Sequence, residues 1–170
     1  MSAQRIYQVK ATLRKTLTIL LAAGMTAVSC DDIDCTLNNT VECKLAFYDG
    51  AGNAVQIKDT LDIYAEGIDL PLFNKGTEIG SIGIPLSYFK GKDTLQLVVY
   101  GDGYMYEDWL VITKQNIEHF ESLNCPVKMF HTLTDVSVTG ESFIDSVSIT
   151  NPKVEYNNGE NIKIYLHSGN

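Results

Sequence analysis

His119, Cys125 and His131 fall six residues apart. Imidazole and thiolate are soft metal ligands, and together they also make nucleophile–base pairs. The spacing suits neither chemistry. Zinc sites draw on close pairs such as C-x2-C or H-x3-H, which this chain lacks. A nucleophilic thiol also needs a reducing compartment, which the export signal described below denies it. Structural roles are expected for all three, with no metal and no other cofactor. Ser-His-Asp hydrolysis would be announced by a G-x-S-x-G elbow, and Gly80-Ser81-Ile82-Gly83 does not supply one. A glycosidase needs two facing carboxylates, and sequence spacing does not report their separation. With 21 acids some pair will face by chance. A carboxylate hydrolase therefore ranks last, and the chain is read as a non-enzyme.

Tyr100, Tyr104, Tyr106 and Trp109 surround the turn at Gly101-Asp102-Gly103. Facing outward, Tyr104, Tyr106 and Trp109 would form a platform for sugar rings or a partner protein, since aromatic faces give large contact at low entropic cost. The three tyrosines have even numbers and Trp109 an odd one, so a regular strand sends them to opposite faces. The plainer expectation is Trp109 in the core with the tyrosines covering a face.

These groups are positioned by a chain whose two parts differ sharply in charge. Before residue 30 there are four basic residues and no acid. From Cys30 onward there are nine lysines, no arginine and 21 carboxylates, a net −12. A body so acidic and without an arginine fork repels polyanions, which excludes nucleic acid and nucleotide as partners. Residues 1–29 read as a signal peptide. Arg5 to Lys15 form the basic region, Leu17 to Met25 an apolar run, and Ala27-Val28-Ser29 the small residues before Cys30. The apolar run is shorter than the roughly 20 residues that span a bilayer. The end of the segment resembles a bacterial lipoprotein lipobox, although Ala27 stands where leucine is usual. Cys30 is thus the expected acylated residue, inserted in the lipid bilayer; secretory cleavage without lipidation is the alternative. Residues 30–40 form a lipidated acidic tether. Its run Asp31-Asp32-Ile33-Asp34 is similar to surface-export signals of Bacteroidota-type lipoproteins, and it also suits a solvated spacer. The expected location is the outer membrane, with surface display placed ahead of periplasmic retention.

Residues 41–170 alternate with period 2 and show little helical period. Val41, Cys43, Leu45 and Phe47 make one inward column. Further strands are expected at 61–65, 82–86 (because of Pro85 an edge strand, or one whose N–H position there faces outward), 95–99, 109–112, 127–132, 136–138, 143–149 and 161–166. Asn116 to Ser122 interrupt the pattern and are expected to hold one helical turn. Short strands between turn clusters predict an all-β fold, an immunoglobulin-like β-sandwich of about seven to eight strands, with a small barrel second.

The chain also resembles a family: small, uncharacterised lipoproteins of gut Bacteroidota-type bacteria. The resemblance rests on Cys30-Asp31-Asp32-Ile33-Asp34-Cys35 with Leu37-Asn38-Asn39, on His119 to Pro126, and on Ile144 to Val147 with Glu160 to Tyr165. It implies location and fold but no chemistry, and suggests an outer-membrane β-barrel protein as partner. Three pairings are open among Cys35, Cys43 and Cys125. Cys43 lies in an inward column, where a free cysteine acts as a small hydrophobe. In the resembled family Cys35 and Cys125 flank the most recurrent motifs, which implies a Cys35–Cys125 disulfide. Thr60, Thr94 and Ser146 each follow an aspartate and precede an apolar residue. They resemble O-glycosylation acceptors of such bacteria, and equally residues that cap turns. The expected function is that of a membrane-anchored, exported lipoprotein with a non-catalytic binding or accessory role in an envelope complex; the alternative is a surface carbohydrate-binding module.

Overall fold

The computed structural model describes residues 40–167 apart from 124, 157 and 158. The expected signal peptide, Cys30, Cys35 and the tether up to residue 39 lie outside the described residues. Among those described there are ten strands and no helix: β1 (Cys43–Tyr48), β2 (Thr60–Ala65), β3 (Phe73–Gly76), β4 (Ser81–Ile84), β5 (Lys92–Gly101), β6 (Tyr104–His119), β7 (Lys128–Thr139), β8 (Ile144–Ile149), β9 (Lys153–Val154) and β10 (Ile162–Leu166). They form a four-stranded sheet in the order β4-β1-β10-β8 and a six-stranded sheet in the order β3-β2-β5-β6-β7-β9. All pairings are antiparallel except that of β1 with β10, the first and last strands, which run parallel.

The two sheets enclose one core, as expected of a β-sandwich. Cys43, Leu45 and Phe47 of β1 and Ile162, Ile164 and Leu166 of β10 point into it from the small sheet. Leu61 and Ile63 of β2, Leu95, Leu97 and Val99 of β5, and Leu110 and Ile112 of β6 meet them from the large one. Each such aliphatic side chain, withdrawn from water, contributes roughly 1.5–3 kcal/mol. Alternation along these strands therefore fixes their register, since a one-residue slip would turn the apolar column to the outer face.

Several elements depart from the sequence expectation. The short strands β3 and β9 were not foreseen, which brings the count to ten rather than seven or eight. No helical turn breaks the chain at Asn116, because β6 runs on to His119, paired with β7 from Lys114 to His119. The stretches 127–132 and 136–138 are one strand, β7, with a register shift opposite Thr113 and Lys114. β4 is an edge strand that ends at Ile84, just before Pro85.

The sandwich has two distinct ends. The β5–β6 turn closes through Asp102 and Gly103, with Gly103 at φ +84°. At that end lie also the end of β1, the start of β2 and the end of β10. The other end carries the β6–β7 connection. There the chain enters the sandwich, since Val41 bridges to Tyr156, whose ring packs against His119 and Phe130.

Candidate functional site

At the β5–β6 end the two sheets part to leave a cleft of about 510 Å³. That volume falls within the roughly 300–1,000 Å³ usual for small-molecule sites. Buried Ile57, Val99, Phe143 and Leu166 make its apolar floor. Tyr104 and Tyr106 supply an aromatic wall, with ring centroids 5.0 Å apart. Gln56, Lys58, Asp59 and His167 bring polar groups to the lining. The wall is braced: the Tyr104 hydroxyl donates to Asp59 Oδ2 at 2.6 Å. That hydrogen bond, then burial, raises the phenol above its ordinary range. His167 Nδ1 lies 3.6 Å from Asp145 Oδ1. Asp49 also lines the cleft but is spent on its own turn, accepting from the Ala51 and Asn53 backbone and from Asn53 Nδ2. Its contacts with Asn53 come first in holding its carboxyl below the usual range, the wrong direction for a general acid.

The expected platform of Tyr104, Tyr106 and Trp109 is split. Tyr106 pairs with Val99 and packs on the core, whereas Trp109 pairs with Gln96 on the opposite, outer face of the sheet. The expectation of a core Trp109 beneath surface tyrosines is thereby reversed. Tyr100 is not on the tyrosine side either. Partners across the turn have numbers that sum to 205, so parity switches between β5 and β6. Tyr100 faces outward and donates to the buried Asp62.

His119, Cys125 and His131 are not brought together. His119 stacks on Phe130, with centroids 4.2 Å apart. Among the described residues no three His, Cys, Asp or Glu side chains gather as a metal site. Cys43 is a free thiol buried in the core; burial, then Asp93, push it up to about 12. Cys125 is disulfide-bonded, and its partner lies outside the described residues. Of the acceptor-like residues, Thr60 and Thr94 are half-buried in β2 and β5, while Ser146 is exposed on the edge strand β8.

Two polar constellations were missed. Lys114 and Asn116 continue the inward column of Leu110 and Ile112 on β6, so the column turns polar rather than stopping. The buried Lys114 ammonium lies 3.0 Å from Asp93 Oδ2 and donates to the carbonyls of Ser87 and Lys90 and to Asn116 Oδ1. Asn116 Nδ2 donates to the carbonyls of Tyr88 and Lys90. Asn116 Oδ1 is thus the acceptor for His131 Nδ1–H at 2.9 Å, which leaves the buried His131 Nε2 a lone pair without a donor. The cluster ties the 87–90 loop to β6 and β7. The second constellation is Asp108, whose buried carboxylate accepts from the backbone N–H groups of Ser142, Phe143 and Ile144 at 2.8–2.9 Å. It holds the corner where the chain passes from β7 to β8. Gly140 stands over it at φ +108°, where an added Cβ would overlap the carboxylate. Continued parity past Ile112 could have revealed the first constellation; nothing local marks the second.

Fold and cleft define a class: a two-sheet β-sandwich with a ligand-sized opening between the sheets at one end. Within that class the chain belongs to DUF6452, a family of unknown function whose model matches residues 60–166, well over half the chain. The match runs from the first residue of β2 to the last of β10 and leaves β1 outside. No curated protein and no solved structure matches the chain.

Proposed function

We propose that this protein is an exported lipoprotein, held in the outer membrane through acylated Cys30, that acts by binding as a non-catalytic accessory of an envelope complex. The observation that carries the binding role is the end cleft, with its apolar floor, paired tyrosines and polar lining. Anchoring rests on the signal-like segment before Cys30 and the acidic tether after it. Surface display is placed ahead of periplasmic retention, and an outer-membrane β-barrel protein is the partner proposed. Cys35 is the proposed disulfide partner of Cys125, which leaves Cys30 for the lipid. Ser146 is the acceptor-like residue best exposed for glycosylation.

Affinity capture of the native lipoprotein from detergent-solubilised membranes tests this role, with Tyr104→Ala/Tyr106→Ala as the comparison. A stoichiometric barrel protein that is lost from the double variant supports the proposal. Elution of wild type as a bare monomer counts against it.

The second possibility is a surface carbohydrate-binding module, favoured by Tyr104 and Tyr106 standing beside Asp59 and Gln56. Tyrosine faces stack on sugar rings while polar neighbours meet hydroxyls. Glycan titration separates the two: saturable binding that Tyr106→Ala abolishes would favour this alternative over a protein partner.

A further inference from the structure

Ten large apolar side chains stand exposed among the described residues, and eight of them lie at the β6–β7 end. Only Tyr104 and Met105 belong to the cleft end. The eight come from three separate segments. Ile68 and Leu70 follow β2, Tyr88 and Phe89 lie between β4 and β5, and the rest lie between Ile117 and Val127. Register brings the segments to one end, since Ala65 pairs with Leu95 at the start of β5 and Asn116 binds the carbonyls of Tyr88 and Lys90. Phe89 is 96% exposed and Leu123 wholly so. The fold leaves much of their apolar surface uncovered, and clustered apolar exposure of this kind marks an interaction surface.

The chain itself points to what covers it. Val41 enters the sandwich at this end, against Tyr156 and the rings of His119 and Phe130. The bridged Cys125 lies in the same tip, between Phe120 and Val127. Ten residues lie between Cys30 and Val41, which over eleven residue steps is a reach of about 36 Å when fully extended. With Cys35 bound to Cys125 the free stretch shortens to the four residues between Cys30 and Cys35, a reach of about 17 Å over five residue steps. With that proposed bridge, a lipid on Cys30 holds this end nearer the membrane than the cleft end.

We propose that the apolar β6–β7 end, led by Phe89, Phe120 and Leu123, seats in the interfacial layer of the bilayer that anchors the protein. This rests on the proposed acylation of Cys30 and the proposed Cys35–Cys125 bridge. The domain then stands upright, with lipid under one end and the tyrosine cleft facing away. The contact is apolar, so it requires no anionic lipid.

Trp109 is the single tryptophan, which makes the orientation measurable. In a Trp109→Phe background, Phe120→Trp, Leu123→Trp and, at the cleft end, Met105→Trp each place one reporter on a largely exposed position. The full-length acylated lipoprotein is reconstituted into phosphatidylcholine vesicles with acyl-chain-brominated lipid. Emission from Phe120→Trp and Leu123→Trp should shift blue and fall by roughly half or more, as for side chains about 5–10 Å into the interface. Met105→Trp should be unaffected. Vesicle flotation without quenching at either tip position overturns the seating while leaving the anchor intact, and would give the surface to a protein partner instead. Equal quenching at both ends overturns the upright orientation. Failure to float overturns the anchoring and this proposal with it.

Discussion

His131 occupies a place where an imidazolium is hard to keep. Burial, then the Lys114 ammonium, lower its pKa from the ordinary 6.5 to about 4, against the opposing pull of Asp93. The groups facing it are those of the buried cluster, Lys114, Asp93 and Asn116, with Tyr88 at a ring distance of 6.4 Å. The sign follows from which state takes the proton first. Between pH 6.5 and 4 the unfolded chain binds it and the folded one does not, so the stabilising contribution is complete above 6.5 and is lost as pH falls toward 4. Allowing for the exposed side of the 87–90 loop, the loss is about 2 kcal/mol. Urea unfolding from pH 7 to 4 should therefore show a steeper decline for wild type than for His131→Gln. Parallel curves would mean that the carboxylates alone set the acid response. Little of this cluster was legible in the sequence, because its partners Asp93, Asn116 and His131 sit on three strands and the loop carbonyls that complete it carry no residue signature.

At the scale of the element, β7 shows where alternation informs and where it misleads. Cys43, Leu45 and Phe47 announce the inward face of β1 without ambiguity, as do Leu95, Leu97 and Val99 on β5. On β7 the inward residues are His131 and Leu133 before the register shift, but Val136 and Val138 after it. The phase slips from odd to even at Thr134, so one strand reads as two. Such a bulge adds one unpaired residue and bends its strand. The hairpin of β5 and β6 misled differently, since its odd pairing sum switches parity between the strands and put Tyr100 on the face opposite Tyr106. Deleting Thr134 should join the two phases of β7 into one ladder, with every inward residue still inward. Deleting Ser137 should turn Val138 and the strand end toward the wrong face. Thermal melts followed by circular dichroism should stay cooperative for the first variant and lose cooperativity for the second. The reverse outcome would show that the bulge, rather than the alternation, specifies the pairing of β6 with β7.

The whole molecule has a polarity that no single strand reveals: an apolar end where the chain enters, and a tyrosine-lined cleft at the other. The sandwich itself was legible from period-2 patterning and turn spacing. The cleft was not, because Ile57, Val99, Phe143 and Leu166 meet there from four distant segments. If Cys30 carries the anchor, Cys30→Ala should yield an uncleaved or soluble product that leaves the detergent phase; unchanged partitioning would remove the lipid from the account. The parallel contact of β1 with β10 has a further consequence, for the order in which the molecule can be made. Leu45 pairs with Ile162, so the middle of the small sheet stays open until β10 has been synthesised. Within the large sheet β5, β6 and β7 follow one another directly and can meet early, whereas closing the small sheet brings together the two extremes of the sandwich at a large cost in chain entropy. A nascent chain therefore remains a half-built sandwich from the making of β1 to the making of β10. During that interval β1, with Phe47 and Leu45 uncovered, is the strand most in need of protection from other chains.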